Sequence, residues 1–209
     1  MIYNFLYLVK IQNKPKEINM RKVILFMHAS LDGFVAGPNG EMDWIIYDEK
    51  LQNYATEVHS TVDTVLYGRV TYQMMAGFWS NLPESLLDSK YHVEHAHWLE
   101  NATKIVFSKS LDRAEWKNSR LVKENITEEI STLKQQSGKD MIIIGSARFA
   151  HSLMKLGLID EYRINVNPVV LGGGIPLFKD VADRIHLKLE KANTFNAGVV
   201  GLVYQAETK

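Results

Sequence analysis

The chain has 209 residues, 46% of them apolar and 23% charged, enough to bury a sizeable core in a globular protein. Its 24 basic and 24 acidic residues cancel, which excludes a broad polybasic surface for nucleic acid or a membrane. There is no cysteine, so disulfides, thiolate nucleophiles and cysteine-based zinc sites are excluded, and the composition fits a cytoplasmic protein.

Met1 to Val9 is apolar and aromatic but has neither a basic leader nor a small-residue cleavage site, so no signal peptide is expected. No apolar run approaches the ~20 residues of a membrane span. The polar stretch KIQNKPKEIN (Lys10–Asn19) precedes MRKVILFMHAS. Residues 1–19 therefore read as an appendage to a domain over 20–209, or as the product of an upstream start codon; an arm packed on a partner subunit is the functional alternative.

Val23 to Met27 is a continuous apolar run and reads as a buried strand. SLDGFVAGPNGEMDW, from Ser30 to Trp44, is a long loop rich in turn residues. Tyr47, Leu51, Tyr54 and Val58 make one helical stripe. Asp63–Gly68 is the next strand, and RVTYQMMAGFW turns at once into a short helix expected to stop near Gly77. Leu87, Tyr91 and Trp98 predict a helix from about Glu84 to Glu100, and Lys104–Ser110 a strand. Asn125 and Glu128 have capping-box spacing ahead of an Ile126, Ile130, Leu133 stripe, with Gly138 placed to end that helix. Met141–Ile144 is a strand, followed by a helix on Phe149, Leu153 and Leu156 and closed by Gly157. EYRINVNPVV, HLKLE and VVGLVYQ then read as antiparallel strands. The fold class is α/β: a mixed sheet with helices on both faces, in one domain.

Two strand-to-helix turns share one logic. LYGRVTYQ places Gly68 after a buried strand, with Arg69 and Thr71 at the helix start; IIIGSARFA does the same with Gly145, Ser146 and, one turn in, Arg148. A helix start carries free N–H groups and partial positive charge, and glycine lets a phosphate approach the backbone. Two such turns on one rim of a sheet could bracket a pyrophosphate. Taken singly, each is explained by a glycine relieving a tight turn, with Thr71 or Ser146 as a cap. Neither fits GxGxxG or a P-loop. Ser108 and Lys109 follow a third strand, as a phosphate-gripping pair or as an ordinary polar strand end.

ASLDGFVAGPNGEMDW, DTVLYGRVTY, KIVFSKSL and IIIGSARFAHSLMKLGLIDEYRINVNPVVLGGGIPLF, in this order, resemble the dihydrofolate reductase-like family, and more closely its branch with the reductase domain of bacterial riboflavin biosynthesis. The resemblance spans roughly Arg21 to Gln205. It implies a mixed, mostly parallel sheet flanked by helices with a C-terminal antiparallel hairpin, a homodimer, and NADPH as cofactor. By position it implies that Ala29 and Val35 flank the nicotinamide, and that Gly68, Arg69 and Thr71 hold the phosphate region. Ser108 and Lys109 would lie by the adenosine 2′-phosphate, and Gly145, Ser146, Ala147 and Phe149 would line the pyrophosphate. The pyrophosphate turn departs from the dihydrofolate reductase pattern in having one glycine, and the cysteine-free chain cannot hold the zinc deaminase that accompanies this domain in bifunctional enzymes.

Hydride transfer needs a proton source within reach: a carboxylic acid, a tyrosine or an ordered water. Asp32, in the loop beside the implied nicotinamide site, is one candidate, with a turn-forming role as the alternative. Glu49, or Asp48 beside it, is the other, because a dihydrofolate reductase places its substrate carboxylate in that helix; a helix-start carboxylate favoured by the dipole is the plain reading. Trp44, Phe78 and Trp79 could wall a heterocycle or pack in the core. YHVEHAHW holds three histidines, read as a solvated helix face rather than a metal site. The expected substrate is a small heterocycle, a 5-amino-6-(5-phosphoribosylamino)uracil-type pyrimidine or a pterin. The alternative is a nucleotide-binding module without turnover.

Overall fold

The computed structural model describes residues 20–207, so the expected appendage lies outside the described residues. The strands are β1 Val23–Ser30, β2 Phe34–Ala36, β3 Val62–Gly68, β4 Thr103–Phe107, β5 Ser119–Val122, β6 Asp140–Ile144, β7 Glu161–Asn167, β8 Ile175–Pro176, β9 Leu187–Thr194 and β10 Val200–Ala206. The helices are α1 Glu49–Ser60, α2 Arg69–Trp79, α3 Lys90–Asn101, α4 Ile126–Gln135 and α5 Ala147–Lys155. Eight strands form one sheet in the order β5-β4-β3-β6-β1-β7-β10-β9, and β2 pairs with β8 apart from it. Pairing is parallel from β5 across to β7 and antiparallel for β7–β10 and β10–β9. No helix among the described residues is long and apolar enough to cross a membrane.

The unbroken apolar run of β1 follows from cover on both faces. Val23, Leu25, Met27 and Ala29 join a core with Ile130, Leu133, Phe149 and Leu153 of α4 and α5. Ile24 and Phe26 point the other way, into a core with Ala55, Val58 and Leu99 of α1 and α3. Helix α1 starts where Asp48 accepts a hydrogen bond from Leu51 N at 2.8 Å. Tyr47, expected to open that stripe, lies ahead of the helix and is half-exposed.

Several expected boundaries move. Helix α2 runs past Gly77 to Trp79, and the segment from Glu84 divides into a 3₁₀ turn, Glu84–Leu86, and α3. Asn125 has φ 55° and makes no side-chain cap, so the capping box is not formed, and α4 ends at Gln135, ahead of Gly138. The third strand stops at Phe107, and β2, β5 and β8 were not foreseen.

Lys104 of β4 is wholly buried, and its ammonium closes the C-terminus of α3. It donates to Leu99 O at 2.6 Å and Glu100 O at 3.3 Å and lies 4.6 Å from the centre of the Trp116 ring. Lys104→Ala removes a buried stem and leaves two carbonyls without their donor, so it is expected to cost about 2–4 kcal/mol. A shift of the urea midpoint worth less than about 0.5 kcal/mol would show that the ammonium is dispensable.

Candidate functional site

Because β3 and β6 are parallel neighbours, their C-terminal ends share one rim. From β3 the chain passes to β4 on one side; from β6 it passes to β7 on the other, across β1. Ligands of open α/β sheets bind in the crevice that such a reversal opens. The turns ending these strands touch. Gly68 N donates to Ser146 Oγ at 2.9 Å, and a Cβ on Gly68 would lie 3.1 Å from Phe149 Cβ. A Cβ on Gly145 would lie 3.5 Å from the Thr71 methyl, and Gly145 has φ 71°, a conformation that favours glycine. Gly68, Thr71, Gly145, Ser146 and Phe149 are thus brought together, and Ala147 opens α5 beside them. Arg69 is exposed at the first position of α2 and donates to Gln73 at 3.2 Å.

A groove of about 660 Å³ leads from Gly68 along the ends of β4 and β5 to the starts of α4 and α5. Its floor includes the Phe107 and Phe149 rings, stacked with centres 4.8 Å apart. Lys109, Lys123 and Arg148 line it against the single carboxylate of Glu124, and none of the three forms an ion pair with another described residue. Lys123 was not among the expected site residues, and Arg148 was named only for its place at the helix start. Lys123 follows β5, whose four residues carry too little periodicity to be recognised. Ser108 Oγ accepts from Ser110 N at 3.2 Å and Leu111 N at 3.0 Å and lies 3.5 Å from Ser110 Oγ, forming its own turn.

On the other side of the turns, Ala29 and Val35 are buried in the same apolar cluster as Phe107 and Phe149. Asp32 sits beside them, but not as a free acid. It accepts from Ser30 Oγ at 2.6 Å, Leu171 N at 3.1 Å and Gly172 N at 2.8 Å. The Ser30 hydroxyl and then these amides hold its carboxyl below the usual carboxylate range. Asp32 therefore ties the turn after β1 to the 171–172 loop, the turn role given as its alternative. Glu49 is exposed at the first position of α1. Its neighbour Asp48 has both oxygens engaged, by Leu51 N and by Ala197 N at 3.0 Å, and is likewise lowered, chiefly by the Leu51 amide.

A profile of the RibD C-terminal domain matches residues 21–201. The chain belongs to the RibD C-terminal domain family. Its relative YyaP of Bacillus subtilis (strain 168), an uncharacterized protein, is 36% identical over 187 residues, 90% of this chain and 96% of that one. Two solved structures share the fold. The diaminohydroxyphosphoribosylaminopyrimidine deaminase/5-amino-6-(5-phosphoribosylamino)uracil reductase of Thermotoga maritima has TM-score 0.62 and 20% identity over 90% of this chain and 57% of that one. Dihydrofolate reductase of Enterococcus faecalis, in complex with NADP(H) and RAB-propyl, has TM-score 0.59 and 15% identity over 90% of this chain and 97% of that one.

This RibD-type sheet carries an unexpected polar patch on its α1 face. His28, in the apolar run of β1, is buried with neither ring nitrogen hydrogen-bonded to a described residue. Burial pulls its pKa down to about 4, so the ring is neutral. Asn165 of β7 is 1% exposed, and both polar atoms of its side chain lack a partner among the described residues. An unsatisfied buried polar group costs about 1–3 kcal/mol, so such a pair is not a neutral filler. Asn167, two residues along, is fully used: it donates to Ala29 O at 3.4 Å and Asn165 O at 3.1 Å and accepts from Ile46 N at 3.1 Å.

In this member of the RibD family Trp44, Phe78 and Trp79 do not share one wall, and Trp79 packs against the core, the plainer of the two readings. Trp79 packs on His92 and His95 of α3, with Phe78 at its edge, whereas Trp44 donates to Glu41 O within its own loop. The histidine segment is a solvated face only in part: His97 is exposed, and His95 is not. His95 is buried, its Nδ1 3.4 Å from His59 Nδ1, and His59 stacks on Trp98. No group of three metal-ligating side chains occurs among the described residues.

Proposed function

We propose that this chain is an NADPH-dependent reductase that transfers hydride to a small heterocyclic substrate, working as a cytoplasmic homodimer. The observation that carries the reading is the contact between the Gly68 and Gly145 turns at the reversal of the sheet, continued by a groove with three cations that form no ion pair among the described residues. In this reading Gly68, Arg69, Thr71, Gly145, Ser146 and Ala147 receive the pyrophosphate with backbone N–H groups, one guanidinium and two hydroxyls. Phe149 supports the turn from below. Ser108 and Lys109, joined by Lys123 and Arg148, hold the 2′-phosphate, and Ala29 and Val35 back the nicotinamide. When bound, the cofactor supplies the hydride. Asp32 acts as a positioning residue. Glu49, exposed at the start of α1, is the carboxylate offered by position, and an ordered water within hydrogen-bond reach is the other proton source.

A pyrimidine of the kind named for the Thermotoga maritima enzyme, or a pterin, is the substrate class this reading favours. The engaged state of Asp32 and Asp48 favours a second reading, a module that holds the nucleotide without turnover. Fluorescence titration with NADPH tests binding. Loss of nicotinamide absorbance with a panel of pterins, pyrimidines and quinones tests turnover, and tight binding without turnover across the panel would select the module.

Lys109→Ala is expected to weaken NADPH about 10-fold or more, the worth of one charge-assisted hydrogen bond, and to leave NADH within about twofold. Equal losses for the two nucleotides would remove Lys109 from the 2′-phosphate site.

A further inference from the structure

Helix α5 carries the Ser146 turn at its start and buries one polar side chain together with Phe149, Ala150, Leu153 and Met154. That residue is His151, one turn after Ala147 and 8% exposed. Its Nε2 lies 3.0 Å from Pro176 O and 3.1 Å from Leu177 O. Both partners are carbonyl oxygens, which only accept, so Nε2 carries the proton and donates to the pair.

Strand β8 needs such a grip. It has two residues and pairs with the three-residue β2 apart from the main sheet. A pair of strands alone is marginally stable, and Pro176 has no N–H to give to the ladder. The next bond is Leu177 N to Gly33 O at 2.8 Å. β2 in turn carries Val35, buried in the cluster that also holds Phe149 and Leu177. Contacts therefore run without a break from Gly68 to Ser146, along α5 to His151, across to Pro176 and Leu177, and on to Gly33 and β2. Farther along α5, Lys155 reaches Asp180 at 3.7 Å, but that pair is exposed and worth little. An apolar side chain at 151 would fill the same space, but hydrophobic packing is non-directional. A hydrogen bond is directional, so the histidine selects one placement of β8 against α5.

We propose that His151 is a positioning residue that fixes β8 and β2, and through them Val35, against the helix whose start receives the pyrophosphate, so that the nicotinamide end of the site is held in register with its phosphate end. The inference rests on the reductase reading for the nucleotide, and His151 acts through β8 rather than as a contact of the ligand.

The test uses the full chain and two ligands, NADPH and 2′-phospho-ADP-ribose, which is NADPH without its nicotinamide. His151→Leu strands two carbonyls and is expected to weaken NADPH about 10-fold while leaving 2′-phospho-ADP-ribose within about twofold. His151→Gln, whose amide N–H reaches towards the place of Nε2, should bring NADPH back to within about threefold of the wild type. Should the leucine variant not fold, His151→Asn, with an amide one carbon shorter, takes its place and is expected to show the same split. Equal losses for the two ligands in folded variants would show that His151 only supports the fold. Unchanged NADPH affinity, or no recovery in His151→Gln, would also overturn the proposal, and each of these results leaves the reductase reading in place. A wild type that binds neither ligand would end that reading and this inference with it.

Discussion

Lowering the pH from 7 to 4 is expected to remove several kcal/mol of stability, most of it between about pH 6.5 and 4. Three histidines are buried neutral in this fold. Burial pulls His28 and His59 down to about 4 and His95 well below its ordinary value, with His59 and His92 adding to the effect on His95. The unfolded chain binds protons at these rings from about pH 6.5, whereas the folded chain resists until pH 4 or lower. Stability is therefore full above the unfolded value and declines as the pH falls towards the folded one. Each shift from 6.5 to about 4 is worth about 3 kcal/mol at most, a large fraction of the roughly 5–15 kcal/mol of a typical domain. The geometry gives the mechanism: the His59 and His95 nitrogens face each other at 3.4 Å, so protonating one ring places a cation against its neighbour inside the Trp79 and Trp98 cluster. Asp32 and Asp48 are lowered, so their stabilisation is lost only below about pH 4, outside this window. Urea midpoints measured from pH 7 to 4 check this. The double variant His59→Leu, His95→Leu should flatten the profile by more than half, and a wild-type midpoint constant over the window would show that the histidines do not titrate on unfolding.

The parts of this molecule that were legible in the sequence are those where burial is complete. Runs such as Val23 to Met27 and Met141 to Ile144 are apolar on both faces because both faces are covered, and no turn chemistry competes with that signal. The two glycine turns were legible for the same reason, since each stands at the end of such a run. β2 and β8 have three and two residues, too few to set up a recognisable alternation, and hold together through pairing that lies far away in the chain. Asn125 was misread because capping-box spacing is a statement about side chains, whereas its φ of 55° turns the backbone away from the capping geometry. The buried state of His95 could have been found: it lies four residues after Tyr91 and three before Trp98, inside the apolar stripe of its own helix. His28 and Asn165 gave only a faint signal, a polar residue within each strand, because what marks them is the lack of a partner, and that exists only in three dimensions.

The glycine run at 172–174 offers the second large effect, greatest at the last of three identical residues. Gly174→Ala is expected to cost about 2–5 kcal/mol and to weaken NADPH binding, whereas Gly173→Ala should change stability by less than about 0.5 kcal/mol. Gly174 has φ 141° and lies against β2, so that an added Cβ would sit 2.1 Å from Ala36 O and 3.2 Å from Gly37 C. Backbone cannot yield as a side-chain tip does, so β2 and the 171–174 loop must separate. Gly173 has ordinary φ and nothing within 4 Å of an added Cβ. Separation would break a connected set of contacts: Leu177 N to Gly33 O, Leu31 N to Val169 O, and the two amides that Asp32 holds. Val35, on β2, is one of the two residues proposed to back the nicotinamide, so the damage reaches the cofactor without touching a phosphate contact. Binding of NADPH and NADH should therefore fall together in Gly174→Ala, unlike the selective loss expected for Lys109→Ala. A Gly174→Ala protein as stable as its Gly173→Ala counterpart would mean that the loop has room the contact at Ala36 denies, and that β2 owes its place to something other than this close approach.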